Sequence, residues 1–468
     1  MDVNAKKLII VVFFLGLFSA ILGPHFMSTM KSVLSLSVVI FLFFKLRNPF
    51  FLTIFLALVY QWLQINIKIV YGNITDIPLE HQFSFHQDVE FIYIANTISN
   101  IGLICFALGL YWPLKKRIGS FDITEKLPKQ YRPDRLLYVY IIFSLVLTGL
   151  GVLVSNVSGL NTLIVAISKL KWGFLLATFI YCHLLNSSKK VLYAFVLVEV
   201  LVGFTGYFSG FKDIILILII GWFSIKKLIN YKSYVQFIVV LSLGLSLGLV
   251  WTAVKFDYRD FLVGGEKSQR VVVSKTDATK ELLKLLKDLS KDDILISSEF
   301  FIDRLSYIEF FSIVLRNVPN SIPFENGKIF KESSLFYFKP RLLFPDKPLI
   351  DDSDHTNKYT RLNLMDDGRA SHSIGFMTDA YIDFGPIGMF PFLIGLGLLF
   401  GITMRILIFK SPNIFWAIIY TVPFYFLVSV YSFNMIKVMG NFITYFIPVF
   451  FLRNIFYKYF DKYFIANE

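Results

Sequence analysis

One arginine in the C-terminal half of the chain has the chemistry and the predicted setting to hold a phosphate group. The spacing of apolar residues predicts a helix over residues 298–317. Its apolar stripe consists of Phe300, Ile308, Phe311 and Leu315. Arg304 lies in the middle of that stripe, and a buried guanidinium needs an anion because an unpaired buried charge is costly. The anion is either an acid of the fold or a phosphate or diphosphate ligand, which the planar guanidinium suits.

A proline-rich segment, residues 338–348, carries three further cations. Its three prolines frame Lys339, Arg341 and Lys347. Because proline fixes the backbone and ends helices, these charges are predicted to lie on a stiff extended segment. One interpretation is a turn over the membrane surface, with Arg341 and Lys347 at lipid headgroups. The favoured interpretation is an anion-binding segment with Arg341 as its main cation, because rigidity lowers the ordering cost of binding.

The candidates for proton transfer follow this segment. His372 and Asp379 are seven residues apart, which is one face of a helix, so either can deprotonate a hydroxyl group held at the membrane surface. The alternative is that His372 is simply exposed and Asp379 caps the next helix. Tyr381, beside them, is more often an interfacial anchor than a catalyst.

Several other polar features have two interpretations. Lys212 beside Asp213 is either a self-paired turn or a second cation of the same outer cavity. The Asp352-x-Asp354 pattern imitates a metal-binding motif of nucleotide-sugar transferases, but a solvated acidic turn is favoured. Five polar residues within apolar runs could mark an aqueous cavity. They are Gln61, Gln64, Glu199, Asn434 and Lys437.

Composition shows which elements must position these residues. Of 468 residues 56% are hydrophobic and only 17% are charged, so a single soluble core is not expected and a bilayer is. Apolar runs predict an all-α polytopic protein with about twelve transmembrane helices. These runs start near Leu8, Ser32, Phe50, Phe91, Leu136, Trp172, Val191, Ile214, Val235, Ile387, Pro412 and Asn441. Cys105 and Cys182 both lie in such runs, which supports neither a disulfide framework nor a cysteine metal site.

The distribution of charge predicts the orientation. The net charge of +13 would suggest nucleic acid in a soluble protein, but here the basic residues fall in alternate short loops, as the positive-inside rule requires of cytoplasmic loops. Both termini are therefore expected in the cytoplasm, with the first apolar run retained as a span. The predicted domains are an N-terminal membrane bundle of about nine spans at residues 1–254, a large extracytoplasmic helical loop at 255–383, and a C-terminal bundle of about three spans at 384–468.

These features together resemble a known family. The tract from Arg304 through Lys339-Pro340-Arg341 and Pro345-Asp346-Lys347-Pro348 to residues 375–388 (GFMTDAYIDFGPIG) resembles the Wzy-type oligosaccharide repeat-unit polymerases of bacterial surface polysaccharides, such as O-antigen and exopolysaccharide. The turn at residues 206–212 (GYFSGFK) is similar too. Arg316 and Gly327 fit an Arg-x10-Gly signature found in outer loops of some members.

The resemblance implies a GT-C-like membrane glycosyltransferase of the bacterial cytoplasmic membrane. It would join undecaprenyl-diphosphate-linked oligosaccharide repeat units on the outer side, without a metal or cofactor, and lipid diphosphate would be the leaving group. Membrane lipid and a chain-length regulator are further expected partners, and nucleic acid is not. The alternatives are an O-antigen-ligase-like transferase and, in a different class, a lipid-linked oligosaccharide flippase.

The resemblance also implies roles for individual residues. The expected catalytic residues are His372, Asp379 and Asp383. The diphosphate is expected to bind Arg304, Arg341, Arg316, Lys347 and Lys212. Tyr381 and Lys339 are expected to contact the substrate.

Overall fold

The computed structural model describes most of the chain as helices. The described residues are 3–44, 49–83, 85, 88–115, 131–154, 164, 167–204, 211–225, 231–265, 271–339, 344, 347, 350–364 and 372–465. Within these ranges the only β pairing is one isolated bridge between Tyr131 and Ile465. The all-α prediction is therefore confirmed for this part of the chain.

The N-terminal helices coincide with the apolar runs of the sequence. They are α1 (Val3–Leu22), α2 (Phe26–Val39), α3 (Pro49–Thr75), α4 (Val89–Tyr111), α5 (Pro133–Val154), α6 (Leu170–Leu184), α7 (Lys189–Phe204), α8 (Phe211–Ile225) and α9 (Tyr231–Leu262). The predicted domain boundary after residue 254 lies inside α9, which continues for eight more residues. The polypeptide thus enters the predicted outer segment as an uninterrupted helix.

Five shorter helices are described in the middle of the chain, between residues 271 and 364. They are α10 (Lys275–Asp288), α11 (Lys291–Leu305), α12 (Ile308–Asn317), α13 (Lys328–Phe338) and α14 (Asp352–Thr360). The single helix predicted for residues 298–317 is wrong, because the chain leaves the helix at Ser306 and Tyr307. There the backbone N–H of Tyr307 donates to the carbonyl of Gln64 in α3, at 3.3 Å. A periodic apolar pattern does not reveal such a break, because it continues in phase on both sides.

The break separates the two halves of the predicted apolar stripe. In α12, Ile308, Phe311 and Leu315 are buried, whereas Phe300 in α11 is 56% exposed. Arg304, in the last turn of α11, is exposed as well. Its predicted burial was therefore wrong, because α11 does not share the packing direction of α12.

The C-terminal helices are α15 (Phe376–Phe409), α16 (Ile414–Thr421), α17 (Phe424–Val428) and α18 (Met435–Phe464). Gly375, before α15, has φ +87°, and a Cβ there would lie 2.6 Å from the carbonyl oxygen of Tyr431. Glycine is the residue that tolerates both conditions. Helix α15 breaks at Gly385 (φ 70°, ψ −177°), directly before Pro386. The predicted domain boundary after residue 383 lies in α15, just before this break.

Five helices in the described part are long and apolar enough to cross a membrane. These are Phe26–Phe43, Phe50–Thr75, Val89–Leu114, Phe376–Phe409 and Met435–Phe464. Large apolar side chains on two of them are strongly exposed, such as Ile387 (82%) and Phe451 (70%), as expected of helices in contact with lipid. The helices are compatible with a multi-pass membrane protein. The count of about twelve spans and the orientation stay predictions.

Small residues bring α4 and α15 into close contact. A Cβ on Gly109 would meet the backbone of Ile394, and a Cβ on Gly397 would meet the carbonyl of Phe106. Close backbone approach of this kind is typical of helices that pack within membranes. It fixes the position of α15, whose first two turns carry three of the predicted site residues.

Candidate functional site

A cavity of about 370 Å³ lies between α13, α14 and the N-terminal ends of α15 and α18. Most of its ionisable lining residues are acidic. The acids are Glu325, Glu332, Asp351, Asp354 and Asp379, and the basic residues are Lys328, His355 and Lys358. Phe336 and Tyr359 add two aromatic rings to the wall. A wall that combines charged groups with aromatic rings suits a sugar, which presents hydroxyl groups and an apolar ring face.

His355 and Asp379 form a hydrogen-bonded pair in this cavity. Nε2 of His355 donates to Oδ1 of Asp379 at 2.7 Å, and Asp379 is 1% exposed. The other carboxylate oxygen of Asp379 accepts from the backbone N–H of Met435 at 2.6 Å. The carboxylate therefore holds α14, α15 and the first turn of α18 together. The sequence predicted Asp379 as a base or a cap, and the structure assigns it the capping contact, although at α18.

The electrostatics of the pair favour a charged imidazole. Burial by itself lowers the pKa of His355, but the adjacent Asp379 carboxylate outweighs it and raises the pKa above the usual 6.5. Among the described residues, Nδ1 of His355 has no hydrogen-bond partner. A histidine that is oriented through one nitrogen by a carboxylate can exchange a proton through the other.

A second ionic group closes another side of the cavity. Lys358 donates to Oε1 of Glu325 at 2.6 Å, and the Tyr359 hydroxyl donates to the same oxygen at 2.8 Å. The hydrogen bond from Lys358 is the main reason that the pKa of Glu325 lies below its usual value. Glu325 is therefore an anion at neutral pH and fixes the C-terminal half of α14.

Of the two aspartates in the first turn of α14, one is exposed to solvent and the other is buried. Asp354 is exposed, but Asp352 is 2% exposed and forms an ion pair with Lys437. Nδ2 of Asn434 also donates to Asp352, at 2.8 Å. The predicted solvated acidic turn is thus wrong for Asp352, because the N-terminus of α14 packs against that of α18. Asn434 lines the cavity, as expected for a polar residue in an apolar run.

Two predicted residues of α15 have backbone partners. The carboxylate of Asp383 accepts from the N–H groups of Ile329 (3.0 Å) and Phe330 (2.8 Å), and so caps α13. The hydroxyl of Tyr381 donates to the carbonyl of Val318 at 2.9 Å. Both side chains are buried. The contacts in the structure give them a positioning function.

His372 lies beside α14 and differs in its environment from His355. Its backbone N–H donates to Ser353 Oγ at 3.3 Å, and its carbonyl accepts from Thr356 at 2.8 Å. Its ring packs edge-on against Phe310, with 6.2 Å between the centroids. The structure thus shows a packing contact for the ring.

Four cations approach one another at the ends of three helices. We call Lys212, Lys255, Arg259 and Arg304 the cation cluster. Arg304 and Arg259 lie close enough to Lys212 of α8 and to Lys255 of α9 to repel both lysines electrostatically. Lys255 is 4% exposed, whereas Lys212 and Arg304 are exposed. Lys212 lies near both Arg304 and its neighbour Asp213, so the structure is consistent with either interpretation of Lys212.

The remaining predicted cations lie elsewhere. Lys347 donates to the carbonyl of Phe336 and, at 2.9 Å, to that of Lys339, so it closes the C-terminal end of α13. Lys339 itself is exposed. Arg316 is half-buried in the last turn of α12. Arg341 lies outside the described residues.

A series of contacts leads from the cavity along α18 toward the cation cluster. Asn434 lines the cavity, and Asn441, seven residues later, accepts from Lys169 at 2.9 Å. Seven helical residues span about 10 Å. Lys169 in turn interacts with Asp213, the neighbour of Lys212 in the cation cluster. About two turns of α18 therefore separate the cavity residue Asn434 from Asn441, the partner of Lys169.

Sequence reasoning missed His355. The residue was visible within an acidic stretch, but its partner Asp379 lies 24 residues later, on another helix. No local periodicity relates the two positions. The available signal was the rarity of histidine, of which the chain has six.

Comparison with known proteins places the chain in one family. A family model described as "Domain of unknown function (DUF8712)" matches residues 68–461, and the chain belongs to this family. Searches of curated proteins and of solved structures found no match.

Proposed function

We propose that this chain is an oligosaccharide repeat-unit polymerase. In this proposal it transfers a growing glycan from undecaprenyl diphosphate to the sugar of a second lipid-linked repeat unit, on the outer side of the bacterial cytoplasmic membrane. The observation that carries the proposal is the His–Asp pair in the cavity, and the cation cluster supports it. The two sites have complementary chemistry, and Lys169, which contacts Asn441 of α18, interacts with Asp213 next to Lys212 of the cluster.

The cation cluster suits the donor. Breaking the bond between C1 of the donor sugar and oxygen leaves the electron pair, and hence negative charge, on the lipid diphosphate. Preorganised cations stabilise such developing charge. Arg304 and Lys212 are exposed and can reach a ligand, while buried Lys255 adds positive potential behind them.

The cavity suits the acceptor sugar. A hydroxyl of that sugar would lose its proton to Nδ1 of His355 as its oxygen bonds to C1 of the donor. Asp379 would hold the imidazole in place and stabilise its protonated form. Asp379 is thus a positioning residue and His355 the base, which changes the assignment expected from sequence.

Membrane placement completes the proposal. About twelve spans, cytoplasmic termini and a GT-C-like arrangement would bring the cavity to the outer surface. Exposed apolar side chains of α15, such as Ile387, would face lipid near the cavity, where polyprenyl tails must enter.

The test is chain extension by the purified full-length protein in lipid vesicles, with a synthetic polyprenyl-diphosphate-linked repeat unit. We expect a ladder of products in multiples of the repeat, and its loss in Arg304→Gln. Lys458→Gln is the matched control, because Lys458 is an exposed cation at the far end of α18. Absence of a ladder with substrates from several repeat-unit chemistries, while a known polymerase extends at least one of them, would refute the proposal.

A further inference from the structure

Arg453, in the C-terminal half of α18, has unsatisfied hydrogen-bond donors in a buried position. The side chain is only 9% exposed. Its Nε and Nη1 atoms are buried and have no hydrogen-bond partner among the described residues. Arginine stays charged at all physiological pH values, and buried charges in proteins are normally paired. Among the described residues, Arg453 therefore has no anionic partner.

A second cation faces the same aromatic ring. The guanidinium carbon of Arg453 lies 4.2 Å from the centroid of the Phe450 ring, and Nζ of Lys410 lies 5.4 Å from it. The two charged groups are therefore less than about 10 Å apart. Like charges at this spacing repel each other unless an anion lies between them. We call Lys410, Phe450 and Arg453 the basic pocket.

The chain itself offers no obvious anion in the described part of this region. Asp461, the acid of α18 nearest in sequence, accepts from the hydroxyl of Tyr131 and from Nε1 of Trp416 at 3.0 Å. The hydroxyl of Tyr420 donates to the backbone carbonyl of Arg453 at 3.0 Å, and this hydrogen bond does not involve the guanidinium group. The anion must then come from outside the described chain.

The position of the basic pocket indicates where that anion resides. From Met435, beside the cavity, to Arg453 is 18 residues of α18, about 27 Å along the helix axis. This is close to the thickness of the hydrocarbon core of a bilayer, about 30 Å. Helix α18 is long and apolar enough to cross a membrane, and in a helix that does so this separation puts its cavity end and the basic pocket near opposite membrane surfaces, where phospholipid headgroups are found.

The surface around the basic pocket is apolar. Phe409, Phe451 and Ile455 are 41%, 70% and 51% exposed. Such side chains can contact the acyl chains of a lipid, whereas a soluble inorganic anion has no apolar part that would contact them. The cations and the apolar surface are thus complementary to the phosphate headgroup and the acyl chains of an anionic phospholipid.

We propose that the basic pocket binds the phosphate group of an anionic phospholipid. Arg453 and Lys410 hold the phosphate oxygens, and the exposed apolar residues contact the acyl chains. Guanidinium and phosphate match in charge and geometry, and basic pockets between membrane helices bind lipid headgroups in this way. This binding site is independent of the proposed polymerase activity.

The test is lipid retention measured by native mass spectrometry on the delipidated full-length protein. The probes are phosphatidylglycerol, phosphatidylcholine with the same acyl chains, and inorganic phosphate. The variants are Arg453→Gln and Lys410→Gln, with Lys458→Gln as the control, because its side chain is exposed at the same end of α18.

We expect the native protein to retain phosphatidylglycerol in preference to phosphatidylcholine. Each pocket variant should lose about fivefold in retention of phosphatidylglycerol, the effect of one cation at a headgroup, and the control should lose none. If Arg453→Gln does not fold, the test relies on Lys410→Gln, which should fold because Lys410 is exposed.

Two results would overturn the inference. One is equal retention of phosphatidylglycerol by the native protein, both pocket variants and the control. The other is equal retention of the two phospholipids by the native protein. A third result would be that inorganic phosphate binds as tightly as phosphatidylglycerol and that both pocket variants lose this binding to the same extent. The basic pocket would then be a phosphate site for a soluble anion, and the lipid assignment would be overturned.

Discussion

Replacing His355 by glutamine tests the proposed chemistry most directly. Glutamine keeps a side chain that can donate to Asp379, so the contacts among α14, α15 and α18 should survive. It cannot accept a proton at neutral pH. General base catalysis contributes about 10²–10⁴-fold to a rate, or about 3–5 kcal/mol of activation free energy. We expect chain extension to slow by that factor in His355→Gln, with little change in thermal stability above the raised pKa of His355, where the charged pair no longer contributes.

The pH dependence adds a second readout. Because Asp379 raises the pKa of His355, the imidazole is protonated at low pH and becomes a base only above that raised value. Extension by the native protein should therefore increase as pH rises through it. The residual rate of His355→Gln should lack this step. Stabilisation by the charged pair has the opposite trend: it is complete below the unfolded pKa of about 6.5 and is lost as pH rises through the folded value.

The assay is the initial rate of extension of a synthetic lipid-linked repeat unit between pH 5.5 and 9, with amounts of folded protein matched by size-exclusion chromatography. His372→Gln is the control, since that histidine was also expected to be a base but packs against Phe310. The reasoning is refuted if the two variants have equal rates, or if His372→Gln alone loses the pH step.

Three further predictions follow from other contacts. Arg304→Gln should slow extension by about 10²-fold, the rate that is typically lost when one preorganised donor is removed. Arg304→Lys keeps the positive charge and should restore part of the rate. A normal rate in Arg304→Gln would contradict this prediction. Asp383→Ala leaves the N–H groups of Ile329 and Phe330 without their acceptor, so denaturant titration should show a loss of about 2–4 kcal/mol, against little change in exposed Asp354→Ala. Gly440→Ala places a Cβ on the Tyr337 ring, between α18 and α13, and should lower the melting temperature, whereas Gly395→Ala, whose Cβ meets nothing within 4 Å, should not.

The sequence alone was sufficient to predict the class of structure. The apolar runs predicted helices, and helices cover them in the described residues, because hydropathy is a local property that needs no knowledge of tertiary contacts. The concentration of charge after residue 254 also indicated where to look for a site. Asp379 and Arg304 were selected as candidate site residues from their residue type, although Arg304 is exposed and not buried as predicted.

The tertiary structure decided the partners. Asp379 pairs with His355, Asp352 with Lys437, and Asp383 with the backbone of α13, and each pair joins residues at least 24 positions apart. The break between α11 and α12 likewise depends on a backbone contact with Gln64, more than 200 residues away. Periodicity reports which face of one helix is apolar, but the charge that a carboxylate meets depends on how helices pack. Only the folded chain determines that.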